Sequence, residues 1–516
     1  MWGAQPHPAP RSGPAGIYPP PRSAPRFFQS FSQKEVTPPL PSFSSSLQKN
    51  IRLLNGFLQP DTNSDLIRRP FRALDTDCFL CYIDGMAQGD EVAQHIIRPL
   101  MTAPVPVLPG GALADHAAHR CITAPEVKTE SDPDAAITQL LLGQCLLLLD
   151  GCREVVIIDM RGYVHRPVNK PVNERVIIGP HEAFNEVLRD DLTLLHRKLP
   201  TEKLRITMHQ AGTGVRTQLA LCWLEGVCPP ETVRRLEERL GSIRAEAITS
   251  VGALQQLLED DPYAPLPQAV LTERPDRAVS FLMEGQALVL LDGSPRALVM
   301  PISLWHLCHA PDDSHMRWQY GAAMRLLRLA GAVAALLAPA LFVCIYTFHP
   351  SLLPMTLLTS ILQSRTVLPI SMYMEAFLLL LIFDLINEGS TRAPELMGSS
   401  LGLVSTLILG TAAVQARLVS PLLLITVALS GLGSFTLPDY SLAFAFRMAQ
   451  LLLVPVAGLT GMGGLTAALV LLCCWVGGME SLGSPYLAPT SPPRPHNRDL
   501  VLRFPLGRRR NHRRFT

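Results

Sequence analysis

The chain has 516 residues, of which 48% are hydrophobic and 17% charged, with a formal net charge of +2 and a mean hydropathy of +0.22. Charge is sparse against a globular norm of about 25%, and a net charge this near zero carries no argument for nucleic acid; the one strongly basic stretch is the tail, with Arg508, Arg509, Arg510, Arg513 and Arg514. The length allows two or more domains. Charged residues are common from Gln48 to Arg328 and scarce from Leu329 to Gly478.

Residues 1–46 are rich in Pro and Ser, with Pro19-Pro20-Pro21 and Pro38-Pro39-Leu40-Pro41. Such a segment buries too little apolar surface to offset its ordering entropy and reads as a disordered arm. Met1 to Gly16 lacks the apolar core of a secretory signal. A soluble α/β region follows over 47–320. It contains an internal echo: GQCLLLLDG at 143–151 and GQALVLLDG at 285–293, each followed by another apolar run, EVVIID (154–159) and ALVM (297–300). Two β-rich runs joined at Asp-Gly predict a hairpin, because Gly tolerates the positive φ of a tight turn. Asp150-Gly151 and Asp292-Gly293 are therefore turn residues. CFLCYIDG (78–85) ends the same way, with a helical pattern from Asp90 to Leu100 behind it. Turn chemistry accounts for Asp84, Asp150 and Asp292 without catalytic work.

Between the echoes the sequence predicts helices at Pro180–Leu199, Pro230–Leu240 and Ser250–Asp260. Pro180 and Pro230 suit a first helical turn, and Glu182 and Glu231 suit its positive dipole end. Strands alternating with helices indicate two related α/β modules, about 65–165 and 200–305. The stretch 102–135, with Gly110-Gly111 and five prolines, reads as a loop or insertion. The eleven cysteines lack framework spacing, so Cys78-x-x-Cys81 is expected to be reduced and structural. His306, Cys308 and His309 imitate a metal site, but no second ligand pair follows them. No metal, cofactor or catalytic constellation is read.

The region 321–480 is expected to be an all-α polytopic membrane domain of five to six segments. Its apolar stretches run about 329–348, 367–387, 396–416, 418–437 and 448–478. A span needs roughly 20 predominantly apolar residues. The last stretch is longer and is interrupted by Gly458, Gly461, Gly463 and Gly464, so it is either one tilted helix or two short segments. Arg317, Arg325 and Arg328 before the first span place the soluble region in the cytoplasm. Residues 481–516 read as a basic disordered tail; keeping it on that same side needs an even number of crossings, which favours the split.

Charge inside a span costs about 2.5–3.5 kcal/mol on the insertion scale, so Glu375 and Asp384 need a reason. They are candidate pore or bundle-interior acids, and a nine-residue spacing puts them on nearly opposite helix faces. Gly398-Ser399-Ser400-Leu401-Gly402 matches the hydrolase elbow G-x-S-x-G, which needs a strand before it. Here it opens an apolar helix, where Gly398 and Gly402 suit close helix packing.

A collinear set of segments carries a family resemblance: IGPHEAFNEVLRDDLTLLHRKL (178–199), LTERPDR (271–277), LLDGSPRALVMP (290–301), MRLLRL (324–329), HPSLLPMTLLTSILQSRTVLPISMYMEAF (349–377) and ILGTAAVQARLVSP (408–421). From about Gln48 to Gly478 the chain resembles the GerA family of spore germination proteins, the A-type subunit of the nutrient germinant receptor. The resemblance implies the inner spore membrane of a bacterial endospore former. It also implies membrane lipid contact, a transporter-like B-type subunit, a C-type lipoprotein subunit, and a homo-oligomeric channel that releases cations. The alternatives are a related subunit of the dipicolinate-release machinery and, from another class, a secondary transporter, which predicts an inverted repeat. The chain departs from the family at Ile178 and His181, where relatives usually carry Arg.

Overall fold

The computed structural model describes residues 42–104, 110–162, 178–365, 370–392, 410–492 and 502–503, together with single positions 171, 174, 176 and 408. The first module holds α1 (Leu47–Leu58), β1 (Leu66–Ala73), β2 (Thr76–Ile83), helical turns over Gly89–Thr102 and Gly110–Cys121, β3 (Val127–Glu130), α2 (Pro133–Leu141), β4 (Cys145–Leu149) and β5 (Val155–Ile158). The second repeats that order with α3 (Leu188–Lys198), β6 (Leu204–Ala211), β7 (Thr217–Leu224), α4 (Pro230–Ser242), α5 (Val251–Leu258), β8 (Val270–Thr272), α6 (Pro275–Glu284), β9 (Ala287–Leu291) and β10 (Ala297–Met300). The two five-stranded sheets have the same strand order, β1-β2-β4-β5-β3 and β6-β7-β9-β10-β8. Every ladder in both is antiparallel.

Each sheet is covered on both faces, which is why its central strands are continuous apolar runs rather than alternating ones. In β4, Cys145, Leu147 and Leu149 face the helices of 89–121, whereas Leu146 and Leu148 pack with α1 and α2. In β9, Leu288 and Leu290 join the α3–α6 side, and Ala287, Val289 and Leu291 the α4–α5 side.

Three sequence expectations change here. The helix expected at Pro180–Leu199 is only α3, from Leu188. Residues 183–187 stay outside the helix, where Phe184 N–H bonds Glu273 O at 2.8 Å and Glu186 O accepts Gly293 N–H at 2.9 Å. Glu182 is outside the helix and pairs with Lys198 instead. The stretch 102–135 is not merely a loop, because Val127–Glu130 completes the sheet against β5. Each module also takes in the helix before its first strand, since α1 and α3 cover one face of their sheets.

Asp191 in α3 is 1% exposed, and its carboxylate accepts the Asn185 N–H at 2.8 Å. Burial pushes this carboxyl up to about 8 against that hydrogen bond, with Asp190, Glu186 and Asp292 adding repulsion. The folded value lies above the unfolded one of about 4. Its stabilising share is therefore complete below about pH 4 and is lost as pH rises toward 8. Asp191→Asn keeps the acceptor and removes the buried charge. The variant is expected to gain on the parent as pH rises, with a clearly larger melting-temperature difference at pH 8 than at pH 5, in thermal unfolding of the full chain in detergent. A gap of equal size at both pH values would refute the assignment.

Beyond β10 the chain turns helical: α7 (Trp318–Phe348), the short Met355–Arg365, α8 (Met372–Arg392), α9 (Pro421–Phe435) and α10 (Tyr440–Gly477). By length and composition α7 and α10 could each cross a membrane, and α9 is a shorter apolar helix. The segment expected at 396–416 falls mostly outside the described residues. One core joins the second module to these helices: Leu204, Val270 and Leu307 cluster with Ala332 of α7, with Leu437, with Leu442 and Ala443 of α10, and with Met479 and Tyr486 beyond it.

Both ends of α10 thus reach one core, so this helix doubles back. The reversal is at Gly461, whose φ of 70° and ψ of −157° are non-helical and open essentially to glycine alone. By the helical rise the two arms measure roughly 31 and 24 Å. Phe348, the last residue of α7, packs against this turn, since a Cβ on Gly461 would sit 3.1 Å from its ring. The residues expected as the start of a disordered tail fold back onto the second module. Glu480–Ser481 and Ser484–Pro485 form a two-residue hairpin there.

Candidate functional site

The sequence-predicted turn residues act as twin clasps. Asp150 Oδ1 accepts the Leu47 N–H at 2.9 Å at the start of α1, and Asp292 Oδ1 accepts the Leu188 N–H at 3.2 Å at the start of α3. Gly151 and Gly293, at φ 84° and 82°, donate their N–H groups to Ser45 O and Glu186 O at 2.8 and 2.9 Å. Each Asp-Gly turn therefore satisfies an orphan donor of the helix that opens its module, a contribution of about 1 kcal/mol. Asp84 instead pairs with Arg189 across the modules.

The polar groups inside the helical bundle form the candidate site. Glu375, in the first turn of α8, is 0% exposed, and its Oε1 accepts the N–H of Ser420, the N-cap of α9. A carboxylate here meets the positive end of the α9 dipole. Asp384, nine residues on, lies near the other end of the bundle and pairs with Arg447 of α10 at 3.3 Å. Arg447 also lies 5.8 Å from the Tyr440 ring centroid and 5.9 Å from that of Phe444. The two acids are thus kept apart, each with its own partner. Gly398 and Gly402 lie outside the described residues.

Between these acids is a polar chain that sequence reasoning missed. Pro339 lacks the N–H that would bond the Ala335 carbonyl inside α7. Ser430 Oγ of α9 donates to that carbonyl at 2.9 Å and accepts from Gln450 Nε2 of α10 at 2.6 Å. The signal was available in part: a proline inside an apolar helix frees the carbonyl four residues earlier, and that carbonyl needs a donor. Gly433 permits the close approach, since a Cβ there would overlap Gly331 O and sit 3.1 Å from Ala335 N.

At the base of α7, Arg328 grips Asp313 with two bonds of 2.6 and 2.8 Å, and Arg325 adds one at 3.3 Å. Burial opposes ionisation of Asp313, but the bonds and charge of Arg328, then of Arg325, outweigh it and hold the carboxyl below its usual range. These two arginines, which the sequence offered only as a topology signal, fasten α7 to the segment before it. His306 is taken up locally: its Nδ1 accepts the Ser303 N–H at 2.9 Å in a capping box, and its Nε2 faces Gln286 at 3.2 Å.

The sequence of this chain matches the family described as Bacillus/Clostridium GerA spore germination protein over residues 53–515. It belongs to the GerA family. Among its relatives, spore germination protein GerLA of Bacillus cereus is 32% identical over 417 residues, covering 81% of this chain and 84% of the relative. Spore germination protein B1 of Bacillus subtilis (strain 168) is 31% identical over 470 residues, covering 89% and 95%. Stage V sporulation protein AF of the same organism is 27% identical over 433 residues, covering 84% and 87%. The crystal structure of the N-terminal domain of the A subunit of the Bacillus megaterium spore germinant receptor GerK3 is similar at 21% identity and a TM-score of 0.40, over 51% of this chain and 97% of that one. Family membership and two apolar helices mark this GerA chain as a membrane-associated germination protein.

Proposed function

We propose that this GerA chain is the A-type subunit of a nutrient germinant receptor, a multi-pass protein of the inner spore membrane with its two modules in the cytoplasm. It works with a transporter-like B-type subunit and a lipoprotein C-type subunit. Nutrient binding elsewhere in the receptor biases its helices toward an open state that releases cations, with the helices of several copies forming the channel. The reading is non-enzymatic. It rests on family membership, and the observation that carries the coupling is the single core shared by the second module and the helices α7 and α10. The fold-back of α10, which brings Met479 and Tyr486 to the core that holds Leu442, supports a tail on the same side as the second module. Relatives named both for germination and for stage V sporulation fit the family. Genes for B- and C-type subunits beside the gene for this chain would favour the receptor, and a neighbouring dipicolinate-channel operon would favour a part in dipicolinate release.

In this reading Glu375, closed against Ser420 at rest, is the acid that meets the permeating cation when the bundle opens, and Asp384 contributes through its pair with Arg447. Glu375→Gln keeps an oxygen for the Ser420 N–H and removes the charge. Spores carrying it are expected to release cations several-fold more slowly on nutrient addition, with the chain present at parental level. Release at the parental rate would remove Glu375 from the conduction path.

A further inference from the structure

The segment after α10 is polar, proline-rich and outwardly a tail, yet it is hydrogen-bonded to the second module through several residues. Leu482 and Gly483 turn the hairpin with φ of 49° and 74°, the positive pair of a type I′ turn. A non-glycine residue held at positive φ persists only when its surroundings over-determine it, and here they do. Leu482 N–H donates to Asp260 Oδ2 at 2.6 Å, its carbonyl accepts from Arg235 at 3.0 Å, and its side chain is buried among Leu236, Leu258 and Leu291. Ser481 Oγ accepts the Ile302 N–H at 3.1 Å and donates to Gln268 O at 2.8 Å. Tyr486, 0% exposed, donates its hydroxyl to Pro267 O at 2.7 Å, and its backbone carbonyl accepts the Leu304 N–H at 2.9 Å. Further on, Arg503 donates to Met316 O and Ser314 O at 2.7 and 2.9 Å and packs on Gly321, at the foot of α7.

We infer that residues 479–491 are a transmission strap, an intramolecular interface that fixes the second arm of α10 to the second module so that the two move as one body. The groove formed by α4, α5 and the residues just before β8 and after β10 is the strap's seat. Two features single this contact out from ordinary packing. The strap is attached to α10 by Gly478 alone, without slack, and the arm it holds is hinged at its other end by Gly461. A displacement of the module must then tilt that arm about the glycine turn. The functional part of the inference rests on the receptor reading above; the mechanical part does not.

Two full-chain variants test it. Gly483→Ala places a Cβ onto the Arg235 guanidinium and strains the turn, displacing the strap. A six-residue Gly-Ser insertion between Gly478 and Met479 leaves every strap contact in place and adds slack. Hydrogen exchange on the purified chain is expected to rise about tenfold or more over residues 465–477 in both variants, with the insertion alone keeping residues 480–487 protected. Parental protection of 465–477 in both would overturn the strap, whatever the chain does in spores. In spores, the insertion is expected to abolish most nutrient-triggered cation release at normal protein level. Parental release from it would overturn transmission, whereas a parent chain that gives no nutrient response would overturn the receptor reading and leave the exchange result to decide the strap.

Discussion

Gly433→Val is expected to destroy the packed helical bundle, at a cost of about 3 kcal/mol or more. The reason is backbone against backbone. A Cβ at this position of α9 overlaps Gly331 O and lies 3.1 Å from Ala335 N of α7, and neither atom belongs to a side chain that could rotate away. Moving the helices apart to make room would pull Ser430 Oγ from the Ala335 carbonyl, leaving an unbonded carbonyl in an apolar interior. It would also take Gln450 from its partner Ser430. The measurement is recovery of monodisperse chain after detergent extraction and its melting temperature. Gly463→Ala serves as the matched control, because open space surrounds that glycine; it should behave as the parent. Equal recovery of both variants would mean that α7 and α9 do not approach as described.

Gly461→Ala has the second largest expected effect, about 1–3 kcal/mol. The backbone at this position has φ 70° and ψ −157°, and the added Cβ would press on the Phe348 ring at 3.1 Å. Alanine favours continuing the helix, and a straight 38-residue helix would measure about 57 Å. It could not return Met479 and Tyr486 to the core that holds Leu442. The variant should lose melting temperature and expose residues 479–490 to limited proteolysis, while cleavage within the first module stays at parental level. A strap as resistant as in the parent would show that the reversal does not depend on this glycine.

The internal duplication was legible in part. The paired GQxLxLLDG segments gave both hairpins and the existence of two modules, because a tight turn imposes local chemistry that a sequence displays openly. The extent of each module was not legible, since α1 and α3 precede the echo and are tied to it by contacts far apart in sequence, such as the bonds from Asp150 to Leu47 and from Asp292 to Leu188, which span about a hundred residues. The acids Glu375 and Asp384 stood out because charge is expensive in an apolar helix. Their partners did not, since Ser420 and Arg447 are 45 and 63 residues away.

By itself, then, the sequence determined the N-terminal α/β region, the apolar helical region after it, the turns and the family, all of which follow from local periodicity, turn stereochemistry and collinear motifs. Tertiary structure alone decided that α10 doubles back, that Ser430 serves the carbonyl freed by Pro339, and that a Ser- and Pro-rich tail becomes a buried strap. The physical reason is common to all three. Each depends on which distant backbone group or apolar pocket a residue meets, and composition near that residue carries no record of it. The membrane-protein outline came from hydropathy, and the connection between module and helices came from packing.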